Sequence, residues 1–143
     1  MEELNMKMFN MRSEARLANV SYNLLPISIG ATVNFSVEDE VVIARVEERA
    51  IVLEVTRKMV SNPRSMYDLS VTATVRRTLN DNVEGISLKE LDMIDFVNKN
   101  KNELTNVAFM NVSYIIASII GAFGGTPLLT PPAPVATVKV YKK

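Results

Sequence analysis

The stretch from Leu104 to Val138 contains no Asp, Glu, Lys or Arg. Its first half, which ends at Phe123, is long and apolar enough to form a helix that cannot be left in water. Its second half, Gly124 to Val135, contains glycines and prolines that cannot continue a helix. The sequence therefore predicts a buried helix that ends abruptly in a stiff, extended, apolar segment, hereafter the arm.

The polar side chains of this helix lie along two lines. At about 100° per residue, Asn106 and Ser113 share one line, whereas Asn111 and Ser118 share another. Two separate apolar faces remain between these lines. Such a helix lies in a membrane, inside a large core, or between its own sheet and a second subunit. We expect burial against a sheet, because unpaired Asn and Ser side chains are costly in lipid.

Composition argues against several functional classes. The 143 residues suit one domain, and the 16 basic and 16 acidic side chains leave no bulk charge to attract nucleic acid. Cysteine and histidine are absent, which removes thiolate or imidazole metal sites and Ser-His or Cys-His nucleophile pairs. We predict a protein that is not an enzyme and uses no metal or cofactor. Because the N-terminus lacks the pattern of a secretory signal, we expect a cytoplasmic protein without a membrane span.

Alternation of apolar and polar residues predicts four consecutive strands with short connections, which form an antiparallel meander with one dry face. The predicted strands are Phe9 to Leu24, Ile27 to Val37 with an open extension over Val41 to Val46, Ile51 to Met59, and Tyr67 to Arg76. After Asn19 the apolar phase slips by one residue, which predicts a β-bulge in the first strand.

Two helices follow the strands. Ser87 and Glu90 have the spacing of a capping box, which predicts a short helix that ends near Val97. The polar run from Asn98 to Asn102 separates this helix from the long one. Because all strands precede all helices, we predict an α+β fold in a single domain over 1–143: a four-stranded antiparallel sheet followed by a short and a long helix packed on one face.

The order of these elements and the sequence of the arm resemble the SecB family of protein-export chaperones. That family has four antiparallel strands, then a short and a long helix, and the long helix ends in a glycine and a proline-containing apolar arm. The residues that match the family's arm are Gly125, Pro127, Leu129, Pro132 or Pro134, and Val135. The likeness is clearest from Tyr67 to Val135.

The resemblance implies a homotetramer, a dimer of dimers whose long helices lie between two sheets. It also implies that apolar grooves hold unfolded or pre-secretory polypeptides, which then pass to the SecA motor. The candidate client-binding residues are Tyr22, Tyr114, Phe123, Leu128 and Leu129. The candidate oligomer-interface residues are Met110, Ile115, Ile116, Ile119 and Ile120.

Two departures from the family concern the surfaces that bind clients and SecA. The predicted connection between the first two strands, Asn23 to Pro26, is much shorter than the family's loop over the client groove. Asn19, Asn23 and Ser70 align with positions from which the family presents carboxylates to SecA, and none of them is acidic.

A third departure lies at the C-terminus. The sequence stops at Lys142 and Lys143, after a possible fifth strand from Thr137 to Tyr141, where the family continues into a helix and an acidic tail. Docking to SecA is therefore doubtful. The predicted function is a SecB-like holdase for export or for a dedicated client such as a toxin-antitoxin pair. The alternative is a structural or adaptor subunit of an oligomer, with the same fold and no general client binding.

Overall fold

A computed structural model of the chain describes residues 3–25, 34–62, 67–122, 130–131, 134 and 139–142. The elements are a 3-10 turn (Met6–Met8), strands β1 (Glu14–Leu24), β2 (Asn34–Val46), β3 (Ala50–Asn62) and β4 (Tyr67–Thr78), a second 3-10 turn (Leu88–Glu90), helix α1 (Met93–Ala122) and strand β5 (Lys139–Lys142). An antiparallel four-stranded unit precedes a long helix that packs on one of its faces, so the predicted α+β fold is confirmed.

The strands form one sheet in the order β1-β4-β3-β2-β5. β2, β3 and β4 form the predicted antiparallel meander, but β1 pairs with β4 at the far side and not with β2. β5 pairs with β2 in parallel, with Lys139 opposite Glu40. The possible fifth strand therefore exists and covers the β2 side of the sheet.

Most strand boundaries agree with the sequence pattern. The register shift between Leu17 and Asn19 is the predicted bulge, and β2 continues through the acidic residues at 38–40 to Val46. The first strand begins at Glu14, later than predicted, because Phe9 makes only an isolated bridge to Leu79. The predicted beginning of the second strand at 27–33 and the hairpin-loop residues 63–65 lie outside the described residues.

The short and long helices are two parts of α1, which has a non-helical residue at Asn100 (φ −122°, ψ 21°) within the predicted polar break. The Asn100 side-chain amide donates to the carbonyl of Phe96 at 2.9 Å, a local bond of the kind that competes with regular helix. The predicted cap at Ser87 is wrong. Ser87 makes no capping bond, and its hydroxyl donates to Glu48, whereas the Asp92 carboxylate accepts from the Asp95 N–H at 3.3 Å where the helix begins.

The core lies between α1 and the dry face of the sheet. α1 packs mainly on β4, and side chains such as Val55, Val71 and Ile116 are inaccessible to water. Burying an aliphatic side chain of this size stabilises the fold by about 1.5–3 kcal/mol. Near the start of α1, Phe96 stacks on Phe9 with 5.6 Å between ring centroids, which joins the N-terminal segment to the same core.

Candidate functional site

α1 has the two apolar faces that its sequence predicts, and only one of them is buried in this chain. Phe109 and Ile116 lie fully buried on the sheet side. On the other side, Val107, Met110 and Tyr114 remain 38%, 54% and 75% exposed. Spacings of three and four residues place these three side chains along one face of the helix, hereafter the apolar ridge. A contiguous exposed apolar surface of this kind is typical of a binding surface.

The edge strand β1 carries a second exposed apolar surface. Leu17 pairs with the buried Ala73, and Val20 pairs with the buried Val71, so both side chains lie on the dry face. They are nevertheless 54% and 36% exposed. The reason is that α1 packs mainly on β4, the neighbour of β1, and covers these two side chains only in part. The dry face of the sheet is therefore open along β1.

Aromatic rings stack near the end of β1. Tyr22 stacks on Tyr67 with 5.7 Å between ring centroids, and Phe35 of β2 stacks on the same Tyr67 at 5.1 Å. Burial raises the pKa of Tyr67, and the neighbouring Tyr22 raises it further. Tyr22 is only half-buried, so this row presents an aromatic edge to the surface.

The predicted client-binding residues have different environments. Tyr114 is the most exposed member of the apolar ridge, and Tyr22 belongs to the aromatic row. The predictions for Phe123, Leu128 and Leu129 lie outside the described residues.

The predicted interface residues also divide into groups. Met110 belongs to the apolar ridge, and Ile115 and Ile119 are half-buried beside the core. Ile116 and Ile120 are buried in the core of this chain itself, where they pack against its own sheet. Of the five side chains, Met110, Ile115 and Ile119 therefore retain surface that a second subunit could cover.

A charged pair that the sequence analysis did not predict lies inside the core. Arg57 is fully buried at a dry-face position between Val55 and Met59. Its Nε donates to Asp39 Oδ1 and its Nη2 donates to Asp39 Oδ2, both at 2.8 Å. These are two parallel charge-assisted bonds, and the Asp39 side chain is inaccessible as well. A buried ion pair is costly unless its other polar atoms are also satisfied.

The arm supplies hydrogen-bond acceptors for the Arg57 side chain of this pair. Arg57 Nη1 donates to Thr130 Oγ1 at 2.8 Å and to the carbonyl oxygen of Pro131. From α1, the Ser113 hydroxyl donates to the carbonyl oxygen of Thr130 at 2.6 Å, and Thr130 Oγ1 donates to Ser113 Oγ at 2.9 Å. The Arg57 guanidinium also lies over the Phe109 ring, 4.9 Å from its centroid. The arm is thus bound to both the sheet and the helix at Thr130.

The positions aligned with the family's SecA-binding carboxylates lie on β1 and β4. Asn19 and Asn23 are exposed, Ser70 is half-buried, and the Asn23 amide donates to the Ser21 hydroxyl at 3.5 Å. Asp68 is opposite Asn23 in the register. The Asp68 carboxylate therefore lies next to these neutral positions.

Comparison of the sequence with protein-family models gave no match, and comparison with curated proteins gave none either. Among solved structures, the fold matches the Mycobacterium tuberculosis SecB-like chaperone Rv1957 in complex with a ChAD peptide from the HigA1 antitoxin Rv1956. The TM-score is 0.65, and the match covers 84% of this chain and 90% of that chain at 9% identity. The chain has a SecB-like fold. The likeness concerns the fold alone, because identity is so low.

Proposed function

We propose that this chain is a SecB-like chaperone that holds unfolded polypeptides and has no enzymatic activity. The observation that carries the proposal is the apolar ridge of Val107, Met110 and Tyr114, which is exposed on a helix whose other face is buried. The SecB-like fold supports the proposal, as does the fact that the similar mycobacterial chaperone was solved with a bound peptide.

The exposed apolar side chains suit reversible binding of many different unfolded polypeptides. Tyr114 combines a flat apolar ring with a polar tip, so it can contact varied apolar partners. Leu17 and Val20 add apolar area along β1. Each side chain contributes only about 1–3 kcal/mol when covered, so affinity comes from many weak contacts and requires no particular client sequence.

The proposed assembly is a homotetramer, a dimer of dimers. One interface of this assembly would cover Met110, and the other would cover the half-buried Ile115 and Ile119 on the opposite side of α1. Tyr114 and Tyr22 would remain for clients. Covering one apolar face of a two-faced helix by a copy of the same chain is a common solution in symmetric oligomers.

We place the protein in the cytoplasm, without a membrane span and without nucleic acid as a partner. α1 is long and apolar enough to cross a membrane by length and composition. However, its buried face covers the dry face of β3 and β4, which would be exposed to water if α1 left the sheet. Clients would be pre-secretory chains or a dedicated client such as an antitoxin, and docking to SecA remains doubtful because Asn19, Asn23 and Ser70 are neutral.

The test is suppression of aggregation of a chemically unfolded enzyme diluted from urea. We expect the purified protein to suppress aggregation and Tyr114→Ser to suppress it less. Asn111→Ser, a change at an exposed polar position of the same helix, serves as the matched control. If the wild-type protein has no effect on several unrelated clients, the alternative of a structural or adaptor subunit replaces this proposal.

A further inference from the structure

The contact between Thr130–Pro131 and the rest of the chain has the chemistry of a peptide-binding slot. The slot is formed by β3 and α1, which supply the donors: the Arg57 guanidinium, held in place by Asp39, and the Ser113 hydroxyl. The arm supplies the carbonyl oxygens of Thr130 and Pro131 and one hydroxyl. Every extended polypeptide carries such carbonyl groups, so two of these bonds do not depend on the bound sequence.

We propose that this slot is a binding site for an extended client segment, and that the chain fills it with its own arm when no client is present. Thr130–Pro131 is then an internal occupant that a client displaces. The inference rests on the proposed holding function and names one site at which that function is regulated. It also predicts a preference for clients with Ser or Thr, because Thr130 Oγ1 accepts from Arg57 and donates to Ser113.

The geometry favours exchange of one occupant for another. Asp39 keeps its two bonds to Arg57 whichever segment fills the slot, so the buried guanidinium never loses its counter-charge. A client carbonyl replaces an arm carbonyl, and the number of hydrogen bonds is conserved. Thr130–Pro131 also has no helix or strand structure of its own, and Pro131 is exposed at the surface.

A reversible disulfide tests this inference, because the chain contains no cysteine. Thr130 Oγ1 lies 2.9 Å from Ser113 Oγ, so Ser113→Cys combined with Thr130→Cys places two thiols within reach of a bond. The probe is fluorescently labelled, reduced and carboxymethylated α-lactalbumin, which is permanently unfolded. We expect the oxidised double variant to bind the probe at least about tenfold more weakly than its reduced form, as for a loss of two or more hydrogen bonds. The wild-type protein should be indifferent to oxidant.

A second variant changes affinity in the opposite direction. Thr130→Val removes the hydroxyl that bonds Arg57 and Ser113, and we expect it to bind the probe about threefold to tenfold more tightly because the arm leaves more easily. Thr105→Val is the matched control, since the hydroxyl of the buried Thr105 donates only within α1, to Lys101. Its affinity should equal that of the wild-type protein.

The possible outcomes separate the two proposals. If the wild-type protein binds the probe and neither oxidation nor Thr130→Val changes its affinity, the slot is purely structural and the inference is wrong, while the holding function stands. If no form of the protein binds the probe, the holding function itself is wrong. Failure of the disulfide to form, measured by thiol titration, would contradict the contact between the arm and α1.

Discussion

Arg57 and Asp39 lie opposite each other on neighbouring antiparallel strands, joined by two hydrogen bonds of 2.8 Å, with both side chains fully buried. The pair lies between the sheet and helix α1, with the Arg57 guanidinium over the Phe109 ring. Its role is to hold the Thr130–Pro131 segment against the sheet and the helix.

Removing one partner of this pair should be strongly destabilising. We expect Arg57→Met to lower the free energy of unfolding by about 3–5 kcal/mol, because the buried Asp39 carboxylate loses the charge and the two hydrogen bonds that Arg57 supplies. The double variant Arg57→Met with Asp39→Leu should recover much of that loss. Urea denaturation measures both. Equal midpoints for the single and the double variant would show that the lost bonds between Arg57 and Asp39 are not the cause.

The same substitution at the other buried arginine should have the opposite sign. Arg77 is almost fully buried, and its Nε has no hydrogen-bond partner within the described part of the chain. Burial lowers the pKa of Arg77, while the charge of Glu103 raises it. We expect Arg77→Met to be neutral or to raise stability by about 1 kcal/mol, since a buried guanidinium with one unsatisfied N–H is replaced by an apolar side chain. A fall in the thermal midpoint comparable with that of Arg57→Met would contradict this.

The apolar ridge predicts oligomerisation. Light scattering at micromolar concentration should give the mass of a tetramer. We expect Met110→Asp to shift the population to smaller species, because it places a charge in the middle of a covered apolar face. Asn82→Asp adds the same charge at an exposed turn position outside α1 and should leave the mass unchanged. A monomeric wild-type protein would refute the proposed assembly.

The neutral side chains at Asn19, Asn23 and Ser70 predict weak or absent binding to SecA. Charge-assisted contacts are roughly twice as strong as neutral ones, so the substitutions remove most of the attraction to a basic surface. Binding of the purified protein to SecA of its own organism, at low and at physiological salt, measures this. Micromolar or tighter binding that falls steeply with salt and is lost in Asp68→Asn or Glu54→Gln would show that the docking site has moved.

The beginning of α1 can be tested at Asp92. Because its carboxylate accepts from the Asp95 N–H, Asp92→Ala should cost about 0.5–2 kcal/mol of stability. Asp81→Ala, at an exposed turn position, is the control and should cost little. If both variants unfold at the same urea concentration as the wild-type protein, the Asp92 cap contributes nothing.

Local periodicity predicted the elements of this fold well. The strands Glu14–Leu24 and Tyr67–Thr78, the bulge after Leu17 and the two faces of α1 all follow from repeats of two or 3.6 residues. The pairing of β1 with β4 could not be predicted, because the apolar pattern within a strand does not indicate which other strand it pairs with. For the same reason the Ser87 capping box was misleading, since Ser87 bonds Glu48 of a distant turn.

The candidate site was predictable only in part. Met110 and Tyr114 are exposed on the face that the sequence separates from the core. Arg57 was missed because one charge at an apolar position looks like an exception until its partner is known. The sequence does contain a signal for this pair. Asp39 falls on the same face of β2 as Phe35 and Val37, and Arg57 falls on the same face of the next strand, so two opposite charges at dry-face positions indicate a buried pair. The roles of Phe123, Leu128 and Leu129 stay predictions.

The contact between Arg57 and Thr130 of the arm also affects the order in which parts of the chain fold during synthesis. Asp39 and Arg57 are 18 residues apart and meet as soon as the β2–β3 hairpin forms, whereas Thr130 follows Arg57 by 73 residues. The ion pair can therefore form in water first, and we expect the arm to cover it only after Thr130 has left the ribosome. Contacts of such long sequence separation form slowly, so we expect the dehydration of this pair to be a late and slow step of folding.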